Sequence, residues 1–159
     1  MSIGPLIDEA TFRKVERHVS QAVGAGAQIL AGGKCDDRGG TFFKPTVLTD
    51  VTPDMAIFRE ETFGPVAALF RFDTEEQAIR LANTSEFGLA SYVFTQNLNR
   101  AVRVAERLEA GIVGINEGMI SNETAPFGGV KQSGLGREGS HHGIDEYLEL
   151  KYVCIGGIK

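Results

Sequence analysis

Apolar and polar positions along the 159-residue chain fall into a few clear repeats. Residues 8–23 place Phe12, Val15, Val19 and Val23 on one stripe and Arg13, Lys14, Glu16 and Arg17 on the other side. That period predicts an amphipathic helix. Asp8 or Thr11 is placed to cap its start, and Gly24 or Gly26 to end it. A short strand is expected at residues 28–31, followed by Gly32-Gly33 and a polar loop over 34–41. Residues 42–51, rich in β-branched and aromatic side chains, read as a second extended run. Pro53 and Pro65 bracket a segment without a period. Residues 66–72 are then apolar with little alternation, as in a strand covered on both faces.

The second half alternates more regularly. Asp73-Thr74-Glu75-Glu76 resembles a capping box, with Asp73 as acceptor and Glu76 three residues on. The helix behind it is expected to turn Ala78, Ile79, Leu81 and Ala82 inward. A strand over 91–95 and a helix over 98–110 follow. Ala101, Val104, Ala105 and Leu108 recur at helical spacing there, with Gly111 as the stop. Residues 112–115 form another short apolar strand. Strand, helix, strand, helix, strand is the order of parallel β-α-β units, which predicts an α/β fold. Residues 117–140 lose all period and carry Gly118, Gly128, Gly129, Gly134, Gly136 and Gly139. A loop of that length in a compact domain is usually functional or disordered. Residues 147–155 read as a long terminal strand without an obvious local partner, expected to pair with the sheet edge of another chain. The expected division is a main segment, 1–140, and a terminal helix and strand for oligomerisation, 141–159.

Composition narrows the class. Hydrophobic residues at 42% and charged residues at 23% are ordinary globular usage, which excludes wholesale disorder. Sixteen Lys and Arg against twenty-one Asp and Glu give a net charge of −5, with no basic stretch, so neither nucleic acid nor an anionic membrane surface is an expected partner. No apolar run is long enough to span a bilayer. Met1-Ser2-Ile3-Gly4-Pro5 lacks the basic start and apolar run of a signal peptide, so a cytoplasmic location is expected. Cys35 and Cys154 form no CxxC or Cys/His cluster and are expected to be free thiols.

Four short motifs invite chemistry, and each has a plain alternative. Gly134-Leu135-Gly136-Arg137-Glu138-Gly139 fits the letters GxGxxG, but the dinucleotide fingerprint needs a strand before, a helix after and an acidic residue about 20 positions on. Here the run lies inside a loop and the chain ends at Lys159. His141-His142 has no third ligand at a recognisable spacing, so no metal site is expected. Glu60-Glu61 faces two ways on an extended segment, so at most one of the two enters any given site. Neither cysteine has an adjacent base to activate it as a nucleophile. Pattern alone yields an α/β domain with a long glycine-rich loop and no self-contained catalytic constellation.

Several separated motifs, in order, go further. Glu60-Glu61-Thr62-Phe63-Gly64-Pro65 is followed by Pro126-Phe127-Gly128-Gly129-Val130-Lys131-Gln132-Ser133-Gly134 and by Gly136-Arg137-Glu138. Together they resemble the C-terminal part of the aldehyde dehydrogenase superfamily, and the resemblance covers essentially the whole chain. Asn116-Glu117-Gly118-Met119-Ile120-Ser121 and the ending Asp145-Glu146-Tyr147-Leu148-Glu149-Leu150-Lys151-Tyr152-Val153 are most similar to its succinate-semialdehyde members.

The resemblance implies roles. Glu61 matches the glutamate that accepts from the hydroxyls of the nicotinamide-side ribose, and Phe63 the aromatic that helps place the nicotinamide of NAD or NADP. Phe127 matches an aromatic lining the substrate pocket. Ser121 matches a serine that hydrogen-bonds the distal carboxylate of succinate semialdehyde, a group that accepts several strong bonds. The resemblance also implies that the catalytic cysteine, general-base glutamate, substrate-binding arginines and cofactor domain lie upstream of the matched segment. The family's chemistry is thiolate attack on the aldehyde, hydride loss to the nicotinamide and hydrolysis of the thioester. This chain is therefore expected to supply no catalytic residue, to be inactive alone and to form a homo-oligomer. Two other readings stay open: a non-catalytic assembly module docking through its terminal strand, and a piece of an enzyme for a different aldehyde.

Overall fold

The computed structural model describes residues 3–157. The chain divides between Asp73 and Thr74 into two compact units. The α/β class holds, and the strands group into three small sheets, ordered β1-β2-β3, β4-β7 and β5-β6.

The first unit is built on α1 (Glu9–Gly24), which starts where Asp8 accepts a 2.7 Å hydrogen bond from the Thr11 backbone N–H. Its buried face is Phe12, Val15, His18, Val19 and Ala22. Val23, expected on that face, is exposed, because the helix ends at the next residue, Gly24, is capped by Ala25, and Gly26 turns the chain at φ 109°. β1 (Gln28–Ala31) pairs antiparallel with β2 (Thr46–Thr49), which pairs parallel with β3 (Val66–Ala68). Both later strands are shorter than their apolar runs. Pro45 has no N–H to give a ladder before β2, and Asp50 at φ 56° turns the chain out of extended geometry after it. Between them lies a single helical turn, α2 (Ala56–Arg59), in the segment that showed no period. Leu48, Val51, Met55, Ile57 and Phe43 join the α1 face in one apolar core, with Phe12 and Phe43 edge-to-face at 6.0 Å. Thr46 is fully buried there and is satisfied: its hydroxyl donates to the Lys44 carbonyl and accepts from the Gly33 N–H.

The second unit starts with α3 (Glu75–Asn83). Its cap is Thr74, not Asp73: the Thr74 hydroxyl accepts from the Gln77 N–H, so the Thr-x-x-Gln register wins over Asp-x-x-Glu. Of the four residues expected inward, Ile79 is buried and Ala82 is exposed. β4 (Phe87–Gly88) and β5 (Ala90–Val93) follow, then α4 (Leu98–Arg107) and β6 (Ile112–Ile115). β5 and β6 pair in parallel across α4. The helix stops before residue 110 because Asn83 takes its end, donating to the Arg107 carbonyl and accepting from the Glu109 N–H. Gly111 does not stop it. A Cβ at Gly111 would run into the Gly128 carbonyl, so the glycine is there for close backbone contact. Glu75 binds Arg100 and Arg103, and Glu76 binds Arg107, tying α3 to α4 across their polar faces.

Two expectations need correction. Within the first unit β3 pairs with β2, and within the second the expected β-α-β pairing is seen for β5, α4 and β6 only, among the described residues. Residues 147–155 are not a strand: a 3-10 turn spans His141–Tyr147, and no ladder forms beyond it among the described residues. A strand exists only against another strand, and no edge of the described residues pairs with this segment. Leu148, Leu150, Tyr152, Val153 and Ile155 are all exposed. No helix of the described residues is long and apolar enough to cross a membrane.

Candidate functional site

In the first unit, residues 60–64 lie against α1 and their neighbours there are specific. Arg17 donates from Nη2 to Glu60 Oε2 at 2.6 Å. His18, with no exposed surface, places Nε2 at 3.0 Å from the same oxygen and Nδ1 at 3.0 Å from Thr62 Oγ1. The hydrogen bond from His18, with the Arg17 charge beside it, holds the Glu60 carboxyl below its ordinary range. Gly64 sits under Val15, where a Cβ would stand 2.5 Å from a Val15 methyl. Glu61 lies between the two pinned residues, exposed, and has no side-chain partner among the described residues. The two neighbouring glutamates thus separate by role: Glu60 is committed to α1 and Glu61 keeps a free carboxylate. Phe63 is 74% exposed and left-handed at φ 47°, a backbone state that costs an aromatic residue of order 1 kcal/mol and points to a function.

In the second unit, residues 117–140 are more ordered than their composition suggests. Asn116, at φ 53°, opens the segment with two hydrogen bonds to Thr95: its side-chain oxygen accepts from the Thr95 N–H and its amide donates to the Thr95 carbonyl, each at 2.8 Å. Asn122 turns the chain by accepting from the Thr124 N–H and hydroxyl. Phe127 exchanges both backbone hydrogen bonds with Glu138. β7 (Val130–Lys131) pairs antiparallel with β4. Arg137 donates from Nη1 to the Gly129 and Gly136 carbonyls at 2.8 and 2.7 Å, stitching the two arms together. Gly128 allows this approach, because a Cβ there would meet the Gly136 carbonyl and the Arg137 side chain.

Phe127 lines an open cleft with Leu89, Leu135, Arg137, Glu146 and Tyr147. Ser121 is exposed on the same loop and is not among the residues lining that cleft. Glu61 and Phe63 are thus on one segment of the first unit, and Ser121 and Phe127 on one loop of the second. Gly134-to-Gly139 is preceded by the two-residue β7 and followed by a 3-10 turn, so it lacks the strand-loop-helix frame of a dinucleotide turn. His141 and His142 touch with their rings tilted by 40° and centroids 3.9 Å apart, and both are exposed. Cys35 and Cys154 are free thiols on the surface. A hydrogen bond from the Cys35 Sγ to Glu16 favours its protonated form and pushes its pKa up.

His18 is the residue that sequence reading missed. It stands three positions after Val15 and four before Ala22, so the stripe's own spacing puts it on the buried face.

A family model for the aldehyde dehydrogenase family matches residues 1–153. The chain belongs to the aldehyde dehydrogenase family. It is 59% identical over 155 residues to the 3-sulfolactaldehyde dehydrogenase of Pseudomonas putida, covering 98% of this chain and 32% of that protein. It is 58% identical over 156 residues to the NADP(+) succinate-semialdehyde dehydrogenase of Escherichia coli strain K12, with the same two shares. The crystal structure of a succinate-semialdehyde dehydrogenase from Burkholderia pseudomallei superposes with a TM-score of 0.93 at 60% identity, covering 96% of this chain and 32% of that one. The chain spans about a third of the length of the curated aldehyde dehydrogenases it matches.

Proposed function

We propose that this chain is the part of an NAD(P)-dependent aldehyde dehydrogenase that holds the nicotinamide-side ribose and the tail of the substrate, and that the complete enzyme oxidises an aldehyde carrying a distal anion. Succinate semialdehyde, giving succinate, is the first choice. The observation that carries the reading is Glu61: a carboxylate without a side-chain partner among the described residues, between two residues pinned to α1, inside the motif that resembles the family's ribose-binding segment.

The residues present fit the cofactor. An ionised carboxylate only accepts, and its two oxygens suit the vicinal hydroxyls of a ribose. Phe63 beside it offers an exposed apolar ring that backs a flat heterocycle. When bound, the nicotinamide supplies the hydride acceptor. Ser121 donates its hydroxyl to the substrate's distal anion, and Phe127 gives an apolar wall to its methylene chain. No residue of this chain acts as nucleophile: Cys35 is held as the thiol by Glu16, and Cys154 has no base beside it among the described residues. The isolated chain is therefore inactive. Its terminal segment, residues 141–159, is the seat of homo-oligomer formation, with neither nucleic acid nor membrane as partner, in the cytoplasm. The fold is completed as a parallel-sheet catalytic domain by the rest of the enzyme.

A second reading has its own support. The Pseudomonas putida relative is named for 3-sulfolactaldehyde, whose distal anion is a sulfonate, and a serine hydroxyl donates equally to either group.

The test is a chimera in which this chain replaces the matching third of the Escherichia coli relative. It is expected to oxidise succinate semialdehyde. Ser121→Ala should raise KM for it about tenfold, the loss of one hydrogen bond to a charged group, and leave butanal within about twofold. An equal effect on both substrates contradicts the role of Ser121, and a higher kcat/KM for 3-sulfolactaldehyde selects the second reading.

A further inference from the structure

His18 and Thr46 are the buried polar side chains of the described residues, and Thr46 is fully spent on the backbone around β2. His18 is spent otherwise. Its ring reaches out of the apolar core to the two residues that flank Glu61. An imidazole on the core stripe of a helix is costly unless both nitrogens are satisfied. An aliphatic residue at this position would pack against Val15 and Ala22 without that requirement.

The partners fix the arrangement. Nε2 faces Glu60 Oε2, which as an ionised carboxylate only accepts, so Nε2 carries the proton and donates. Nδ1 stands 3.0 Å from the Thr62 hydroxyl, a group that can donate to a bare ring nitrogen or accept from a protonated one, so this partner is satisfied in either state. Arg17, one residue before His18, adds its guanidinium to the same Glu60 oxygen. One face of α1 thus grips residue 60 and residue 62, and Gly64 is pressed onto Val15. Glu61 and Phe63 are the residues in this run that the grip leaves out. The left-handed backbone of Phe63 is held between the pinned Thr62 and the pressed Gly64. Strain of this kind persists only where the surroundings over-determine it.

We propose that His18 is the positioning residue of this segment: by holding Glu60 and Thr62 it fixes the peptide that presents Glu61 and Phe63, and so sets the affinity for the dinucleotide without touching it. The inference rests on the reading of Glu61 as the ribose carboxylate. It assigns to an otherwise apolar helix face a role in cofactor binding.

The test uses the chimeric enzyme and reads KM for NAD(P), KM for the aldehyde and kcat in parallel. Glu61→Gln establishes the reference; if it leaves the cofactor KM unchanged, the ribose reading fails, and His18 falls with it. With that reference in place, His18→Phe is expected to raise the cofactor KM about tenfold, as for one lost hydrogen bond to a charged group, and to leave the aldehyde KM within about twofold. Combined with Glu61→Gln, it should add less than its separate effect, because the two act through one contact. Full additivity, or equal rises in both KM values, makes His18 a residue of general stability and overturns the inference. Should His18→Phe not fold, Thr62→Val removes the Nδ1 partner from outside the core. It should raise the cofactor KM in the same direction, and an unchanged value overturns the inference.

Discussion

The two units solve the problem of presenting a site in opposite ways. The first surrounds a continuous apolar core, from Phe12 and Val15 on α1 to Leu48 on β2 and Ile57 on α2, and its candidate residues stand on a segment bolted to that core. In the second, the buried hydrophobic residues are Ile79, Ala101 and Val104, while Leu98, Leu135, Tyr147 and Leu150 are strongly exposed. Its loop is held by backbone bridges, glycine contacts and Arg137, which are directional but bury little apolar surface. Apolar burial stabilises roughly in proportion to area, so the core of the first unit contributes more stability than the few buried residues of the second. On the proposed function, the remaining two-thirds of the enzyme cover the exposed apolar side chains of the second. On the same proposal, the segment around Glu61 is ready-made in this chain, and the loop around Ser121 and Phe127 is completed by its surroundings.

Three perturbations sharpen that contrast. The largest effect belongs to the first core: Leu48→Ala, at a residue with no exposed surface, should cost about 2–5 kcal/mol in denaturant unfolding. Next is Gly111→Ala. Its new Cβ meets backbone atoms of Gly128 and Gly129, which cannot swing aside as a side chain would. A cost of about 1–3 kcal/mol is expected, seen as faster hydrogen exchange across residues 127–138 and not in α1. The smallest is electrostatic. Hydrogen bonds from Arg103 and then Arg100 depress the Glu75 carboxyl from 4.5 to about 2. A lowered folded-state pKa gives stability that is complete above the unfolded value and fades as pH falls from about 4.5 through about 2. Glu75→Gln should flatten acid unfolding of the second unit in that window, and the difference should shrink in high salt, since the pair is solvent-exposed.

Much of this was legible in the chain, for local reasons. α1 and α4 follow from stripes of apolar residues at helical spacing. The parallel pairing of β5 and β6 follows from a helix between two short apolar runs. What was hidden depends on partners distant in sequence. Asn83 ends α4 from 24 residues away, and no reading of residues 98–110 contains it. The apolar run 147–155 has strand composition but no edge to join among the described residues. At the candidate site, the motif around Glu61 was readable and the division of labour between Glu60 and Glu61 was not, because His18 decides it across more than forty residues. The placement of Ser121 outside the Phe127 cleft was equally invisible, since it follows from the Asn116 clamp and the Asn122 turn.

The most direct measurement is the absorbance of reduced cofactor when the purified chain, at high concentration, is mixed with succinate semialdehyde and NAD or NADP. No signal from the chain alone, with turnover appearing once it replaces the matching third of the Escherichia coli relative, is the predicted result. Sustained turnover by the isolated chain, abolished by Cys35→Ser or Cys154→Ser, would place a nucleophile within these 159 residues and contradict the assignment of Glu61, Phe63, Ser121 and Phe127 as binding residues of an incomplete site.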